Sequence, residues 1–379
     1  MYNDIVNFIQ DIYKTKAFIP LHVPVFKGNE KAYVIDAIDS TFVSSIGEYV
    51  NRFEDEFAKK VRSKYAIATV NGTSALHIAL LLLGVKEDTE VITQPLTFIA
   101  TCNAINYLGA KPHFVDVDKD SMGLSPTILK AHLTKYAQVK NGKCYNKITK
   151  RRISACVPMH TFGHASRIDE IVAICDAFRI PVLEDAAESL GSLYKNQNLG
   201  TFGKLGVFSF NGNKIITAGG GGAIVTDDAE LAKRAKHLTT TAKLPHRYEY
   251  AHDEIGYNYR MPNLNAALLV GQLEKLDSFV KNKRELAKKY ETFFQGSTIA
   301  FKTEIKHSHS NYWLNVLLLE DKIQRDIFLN FMNDNGIMSR PVWQLMNTMR
   351  MFENSEKSPL VNSKWLADRI VNIPSSITP

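Results

Sequence analysis

The first sixty or so residues place apolar side chains at helical spacing, with a break around the stretch TFVSSIGEY, residues 41–49. From about residue 65 the pattern changes. Short apolar runs rich in β-branched residues alternate with helical stretches of ten or more residues. YAIATV leads into NGTSALHIALLLLGV, and EVITQP leads into LTFIATCNAINYLGA. PHFVDVD, ISACVPMH before RIDEIVAICDAF, IPVLEDAAES, LGVFSF and AIVTDD follow. This alternation predicts an α/β fold: a mostly parallel sheet with helices on both faces. Ligands of such sheets bind at the carboxyl ends of the strands.

Beyond about residue 250 the chain predicts a smaller unit. A long amphipathic helix follows Pro262, then come a strand in NYWLNVLLLE, a helix in RDIFLNFMNDNG, a short strand in IMSRPVW and a last helix near 363–371. The expected organisation is a large domain over 1–250, including the helical start, and a smaller C-terminal α+β domain over 251–379. There is no internal repeat and no low-complexity tract.

Composition narrows the functional classes. Of 379 residues, 45% are hydrophobic and 22% charged, the balance of an ordinary globular protein. No apolar run approaches the roughly 20 residues needed to cross a bilayer, so no membrane insertion is expected. The start, MYNDIVNFIQDIYKTK, carries Asp4 and helical spacing where a signal peptide has a basic and then an apolar region. Cys102, Cys144, Cys156 and Cys175 lack paired spacing and read as reduced thiols, so a cytoplasmic location is expected. The net charge of +7 is scattered, and its densest stretch, KNGKCYNKITKRR, reads as a solvated hairpin or loop. Nucleic acid is therefore not an expected partner.

Candidate chemistry collects at the predicted strand ends. Neither a P-loop nor a G-x-G-x-x-G is present, which weighs against a nicotinamide-dependent oxidoreductase. His160 and His164 stand four apart, but Gly163 favours a loop and no carboxylate is in register, so no metal is expected. Gly72, Thr73 and Ser74 sit between a strand and an apolar helix, where exposed N–H groups and hydroxyls favour an anion, although simple capping would read alike. Asp185 follows the strand IPVLE, Phe98 follows EVITQPLT, and Lys214 lies between LGVFSFNGN and IITAGGGG. One cofactor accounts for a lysine, an aspartate, a flat ring and an anion cradle on one rim: pyridoxal phosphate. The lysine amine condenses with its aldehyde, the aspartate keeps the pyridine nitrogen protonated, and the glycines after Lys214 allow close passage of the backbone.

Taken in order, NGTSAL, QPLTFIAT, VPMHTFGH, VLEDAAESLGS, FSFNGNKIITAGGGG and GYNYRMPNLNAAL make nearly the whole chain resemble the nucleotide-sugar aminotransferases of the DegT class. Members of that class share the fold type I pyridoxal-phosphate transferase architecture. The resemblance implies that Lys214 joins the cofactor and shuttles a proton, while Asp185 pairs with the pyridine nitrogen. It also implies that Thr73, Ser74 and Ser209 hold the phosphate, that Gly72 permits close approach, and that Phe98 stacks on the ring. Glu188 stands where many members carry Gln, near the cofactor's 3-hydroxyl; a carboxylate there would repel a phenolate unless one of them is protonated. His160 is expected close to the cofactor. Asn258 is expected to reach the phosphate of a neighbouring subunit, which implies a homodimer with shared active sites. Ser44, Ser45 and Gly47 match a segment lining the sugar site, and Asn311, Tyr312 and Arg340 are substrate-binding candidates, with Tyr312 and Trp313 equally readable as core.

The implied reaction takes the amino group of L-glutamate, leaving 2-oxoglutarate and pyridoxamine phosphate, and delivers it to a nucleotide-linked keto sugar. NGNKIIT, VPMHTFGH and VNIPSS resemble the branch acting at C4 of UDP-linked 4-keto-6-deoxy-N-acetylhexosamines, as in the legionaminic acid and bacillosamine pathways, more than the perosamine or desosamine branches. The expected role is in bacterial surface-glycan or nonulosonic acid biosynthesis. The alternative is a sugar dehydratase of the same class; such relatives carry His at the lysine position, and Lys214 favours transamination. A non-catalytic cofactor-binding regulator would need a DNA-reading appendage that residues 1–60 do not supply.

Overall fold

The computed structural model describes residues 2–379. Seven strands form the main layer: β1 (Tyr65–Thr69), β2 (Glu90–Thr93), β3 (Lys111–Phe114), β4 (Ile153–Val157), β5 (Leu183–Asp185), β6 (Leu205–Ser209) and β7 (Gly222–Thr226). They line up in the order β3-β2-β4-β5-β6-β7-β1, with β4 joined to β5 through the bridges Cys156–Val182 and Met159–Asp185. Neighbours run parallel except at β7, which is antiparallel to both β6 and β1. The expected sheet is thus present with one reversed strand. Residues 210–221 between β6 and β7 form the Lys214 loop and hold no helix, so no crossover carries the chain back to a parallel start.

Successive residues on a strand enter opposite cores, because side chains alternate across a sheet. Val91, Val207 and Ile224 pack with Leu76, Leu80 and Ile105 from α4 (Gly72–Leu82) and α5 (Ile99–Tyr107) and with Leu238 from α8 (Ala229–Thr239). Their chain neighbours Ala223, Val225 and Phe208 face α3 (Glu48–Val61) and α9 (Asn263–Leu273), while Ile92 and Cys156 face α6 (Pro126–Tyr136) and α7 (Ile168–Ala177). Every residue of β2, β4 and β7 is buried, as apolar runs covered on both faces require.

The C-terminal part is a four-stranded antiparallel sheet, β8 (Ala300–Phe301), β9 (Asn315–Leu318), β11 (Ile370–Ile373) and β10 (Arg340–Pro341) in that spatial order. α10 (Leu276–Phe294) and α11 (Lys322–Asp334) cover it, and α12 (Val361–Ala367) precedes β11. Two helices cross the expected division near residue 250. α1 (Tyr2–Tyr13) puts Ile5, Val6 and Ile9 into the core of the C-terminal sheet, and α9 packs on α3 and α2 (Glu30–Asp39). The single long helix expected after Pro262 is two, α9 and α10, broken at Glu274–Lys275 as the chain turns from one core to the other. The helix expected through 371 ends at Ala367, because Ile370–Ile373 completes the sheet.

All four cysteines are buried free thiols, and KNGKCYNKITKRR begins with a hairpin, Ala137–Lys140 against Lys143–Asn146. Among the described residues no helix is long and apolar enough to cross a membrane.

A buried polar chain ties this hairpin to the sheet. Glu90 on β2 accepts hydrogen bonds from Asn146 (2.9 Å) and Thr149 (2.5 Å) and meets His113 on β3 at 2.9 Å; His113 Nε2 lies 2.7 Å from His132 Nε2 on α6. Burial, reinforced by the neighbouring His113, pushes the His132 imidazole down to about 4. The unfolded chain therefore binds more protons than the fold between about pH 6.5 and pH 4, and this contribution to stability, full above pH 6.5, is lost as the pH falls through that window. Urea unfolding should show the wild type losing on the order of 2 kcal/mol more than His132→Gln between pH 7 and pH 4.5. Parallel pH dependences would contradict this assignment.

Candidate active site

Asp185 ends β5 between the ends of β4 and β6, so its side chain emerges where three parallel strands finish. It is buried. Oδ2 accepts a hydrogen bond from Thr101 Oγ1 at 2.7 Å, and Oδ1 accepts one from Ala187 N at 3.2 Å. Burial raises the carboxyl above its ordinary value, while Thr101, Ala187 and the charge of Lys214 oppose that rise. One turn on, Glu188 is buried too. Its Oε2 accepts from Phe162 N at 2.9 Å, and its Oε1 lies 3.3 Å from Lys214 Nζ. Burial pushes this carboxyl up to about 7 against the pull of Lys214.

Lys214 comes from the loop after β6. Its Nζ lies 4.1 Å from the centroid of Trp313, over the ring, and the Trp313 indole N–H donates to Asn213 O at 2.7 Å. The ring thus holds both the ammonium and the loop that carries it. Lys214, Asp185 and Glu188 face one cavity of ≈ 310 Å³, whose walls include Gly72, Thr73, Ser209, Phe98, Trp313 and Trp343. Four larger hollows, ≈ 890, ≈ 820, ≈ 390 and ≈ 320 Å³, contain no such convergence of a lysine with two buried carboxylates.

The anion cradle forms by close backbone approach. Asn71 caps α4, its Oδ1 accepting from Ser74 N at 2.8 Å, so the cap is neither Thr73 nor Ser74. A Cβ on Gly72 would stand 2.9 Å from Ser209 Cβ, and one on Gly222 would stand 2.5 Å from the Asn71 carbonyl. Of the four glycines after Lys214, it is Gly222 that must be small, and it serves the α4 N-terminus rather than the lysine. That helix end, with Thr73 and Ser209, presents a positive dipole and hydroxyls to the cavity.

Several expected site residues lie elsewhere. His160 is fully buried beside Asp185, but its Nε2 meets Glu184 at 2.9 Å and its Nδ1 accepts from Ser166 N at 3.3 Å, so it backs the site without lining the cavity. Ser74 also lies behind the wall. Asn311 corrects a substrate-binding expectation: its Nδ2 donates to the carbonyls of Glu188 and Leu190 and its Oδ1 accepts from Trp313 N, which leaves nothing for a ligand. Tyr312 is core, its ring against His164 and its hydroxyl accepting from Glu304 N at 3.4 Å. Arg340 is exposed on β10, away from the cavity. Ser44, Ser45 and Gly47 form a loop against Asn263, and Asn258 accepts from Arg260 Nε at 3.1 Å; none of the four lines this chain's cavity. Sequence reading missed Thr101, and it missed that Trp313 and Trp343 face the cavity. The first lies one helical turn past Phe98 in QPLTFIAT, and only the tertiary fold brings the tryptophans there.

These residues fit pyridoxal phosphate: an amine for the aldehyde, a buried carboxylate for the ring nitrogen, a helix N-terminus with hydroxyls for the phosphate, and aromatic walls. The model of the DegT/DnrJ/EryC1/StrS aminotransferase family matches residues 24–378. A GDP-perosamine synthase of Escherichia coli O157:H7 is 39% identical over 359 residues, 94% of this chain and 93% of that protein. A GDP-perosamine synthase of Vibrio cholerae is 35% identical over 360 residues, 94% of each. Among solved structures, a DegT DnrJ EryC1 StrS aminotransferase from Brucella abortus superposes with TM-score 0.83 at 26% identity, covering 92% of this chain and 90% of that one.

Glu188 offers a direct check of the electrostatics. Its raised carboxyl binds a proton in the fold that the unfolded chain releases, so its contribution is full below about pH 4.5 and is lost as the pH rises through 7. In the cofactor-free protein, Glu188→Gln should gain on wild type by on the order of 2 kcal/mol between pH 5 and pH 8 in chemical denaturation. A gain of the opposite sign, or none, would refute the assignment.

Proposed function

The chain belongs to the DegT/DnrJ/EryC1/StrS aminotransferase family, and on that premise we propose that it transfers the amino group of L-glutamate to the C4 keto group of a nucleotide-linked 4-keto-6-deoxy sugar. The observation that carries this reading is the convergence of Lys214, Asp185 and the α4 cradle on one cavity. When bound, pyridoxal phosphate supplies an aldehyde for the amine and a cationic ring that draws electrons from the carbon–hydrogen bond to be broken. Lys214 Nζ takes that proton and returns it, held near the site by Trp313 when it is not engaged. Asp185 would keep the ring nitrogen protonated, a task for which Thr101 and Ala187 orient its oxygens. Thr73 and Ser209 would hold the phosphate. Glu188 receives the Lys214 ammonium before the cofactor binds, and it is buried enough to carry a proton near neutral pH and so avoid repelling a ring oxygen.

The site is read as shared between two copies. Asn258 and the Ser44–Gly47 loop, expected at the phosphate and the sugar, do not line their own cavity, while Ile35, Ile38, Phe42 and Ile46 around that loop are exposed. A second copy seated there accounts for both facts. The two relatives named GDP-perosamine synthases favour a GDP-linked sugar. The motifs pointed instead to a UDP-linked N-acetylhexosamine, and both belong in the assay. A lysine at position 214 weighs against the dehydratase alternative.

Lys214→Ala should fold, lose the visible absorbance of the lysine–aldehyde adduct, and lose turnover by at least about a thousandfold. A variant that keeps both would end the proposal. Incubating the wild type with L-glutamate and GDP-, UDP- and dTDP-linked 4-keto-6-deoxy sugars should give one amino sugar, identified by mass. Amination of a carbonyl compound other than a nucleotide sugar, with none of these accepted, would show the substrate class to be wrong.

A further inference from the structure

The positive charge of the chain is less scattered than its residue order suggests. Between Asp120 and Asp169 there is no acidic residue, yet that stretch carries nine lysines and arginines. Of the chain's 46 basic and 39 acidic residues, 37 and 39 then remain elsewhere. One segment therefore supplies the whole positive balance.

The fold leaves six of the nine as exposed lysines. Lys130 and Lys135 stand on α6, Lys140 and Lys143 at the turn of the hairpin, and Lys147 and Lys150 in the loop beyond it. Lys147 Nζ donates to the carbonyls of Thr134 (3.4 Å) and Lys135 (3.1 Å), which seats that loop on the end of α6. Lys150 donates to the Lys147 carbonyl at 2.6 Å, and Lys135 lies over the Tyr136 ring. These partners are uncharged, so all six ammonium charges stay unneutralised. Among the described residues no carboxylate pairs with any of the six, whereas Arg151 faces Glu90 at 3.8 Å and Arg167 is taken by Asp118 and Asp120. Attraction to a charged surface depends on net charge and not on spare donors.

Apolar side chains stand in the same patch. Val139 is 47% exposed beside Lys140, and Ile148 is 61% exposed beside Lys147. Aliphatic tips among lysines match the boundary layer of an anionic bilayer, where charge and buried apolar area both contribute. A nucleic acid would reward the lysines alone, and the two aromatic residues here, Tyr136 and Tyr145, are half-buried and ill placed to stack on bases. The patch is also held in place. Asn146 and Thr149 are pinned to Glu90, the first residue of β2, whereas Lys214 and Asp185 lie at the carboxyl ends of the sheet.

We propose that this surface docks the protein peripherally on an anionic phospholipid membrane. The hairpin turn and the loop 147–150 enter the headgroup layer, and the Lys214 cavity at the other end of the sheet stays open to solution. The buried Glu90–His113–His132 chain then has a purpose beyond stability, because it fixes the docking element to the sheet.

Cosedimentation of the cofactor-loaded protein with vesicles tests this. The wild type should pellet with vesicles of phosphatidylcholine containing about a third phosphatidylglycerol, more weakly as salt is raised, and not with phosphatidylcholine alone. Lys140→Gln/Lys143→Gln, with its fold checked by circular dichroism, should bind about thirtyfold more weakly. Lys281→Gln/Lys289→Gln removes the same charge from exposed positions on α10 and should bind as wild type does. Val139→Ser/Ile148→Ser keeps every charge and should still lose about tenfold. Failure of the wild type to bind the anionic vesicles at low salt, or equal binding by Lys140→Gln/Lys143→Gln, overturns the proposal. So does retardation of duplex DNA at physiological salt by a protein that ignores the vesicles, which would assign the patch to nucleic acid.

Discussion

Two carboxylates three residues apart, both buried and both facing one ammonium, set the terms for everything else at this site. A carboxylate out of water is costly unless it is hydrogen-bonded or paired. Asp185 is held by Thr101 and Ala187, and Glu188 by Phe162 N and Lys214. Each partner comes from a different segment: α5, the strand-end turn itself, the loop after β4, and the loop after β6. The sheet order brings these segments together, because β4, β5 and β6 are neighbours whose carboxyl ends open on the same rim. The chemistry and the topology are the same fact seen at two scales.

The support extends behind the cavity. Glu184, one residue before Asp185, is buried and accepts hydrogen bonds from the backbone N–H groups of Gly200, Phe202 and Gly203 while contacting His160. It anchors the strand end from the other face. Asn311 ties the Glu188 and Leu190 carbonyls to Trp313, and Trp313 in turn carries Lys214. The C-terminal part of the chain thus positions the lysine of the N-terminal part, and the two cores act as one site.

Much of this was readable from residue order. Lys214 and Asp185 stood out because each follows an apolar run at a predicted strand end, where α/β sheets bind ligands. The α4 cradle was readable as small residues opening a helix. What escaped depended on long-range contacts. His160 looked available until Glu184 and Ser166 took both ring nitrogens, and Asn311 looked like a binding group until three backbone partners consumed its amide. Trp313 could be read as core, and it is buried; its second role over Lys214 needed the fold. The reversed strand β7 and the packing of α1 on the C-terminal sheet likewise leave no local mark, since periodicity reports which face is apolar and not which neighbour covers it.

The central claim is that one amine among the chain's buried and half-buried lysines is the reacting group. Lys283 is the instructive competitor: it is fully buried, and desolvation pushes its amine down to about 7, so it too could hold a neutral, nucleophilic nitrogen. It has no carboxylate partner for a ring nitrogen and no anion cradle; its Nζ donates to the Ser375 carbonyl. Borohydride reduction of the pyridoxal-phosphate-loaded protein, followed by peptide mass spectrometry, separates the two. The account predicts a single phosphopyridoxyl group on the peptide containing Lys214, while a label on Lys283, or spread over several lysines with Lys214 unmodified, would contradict it.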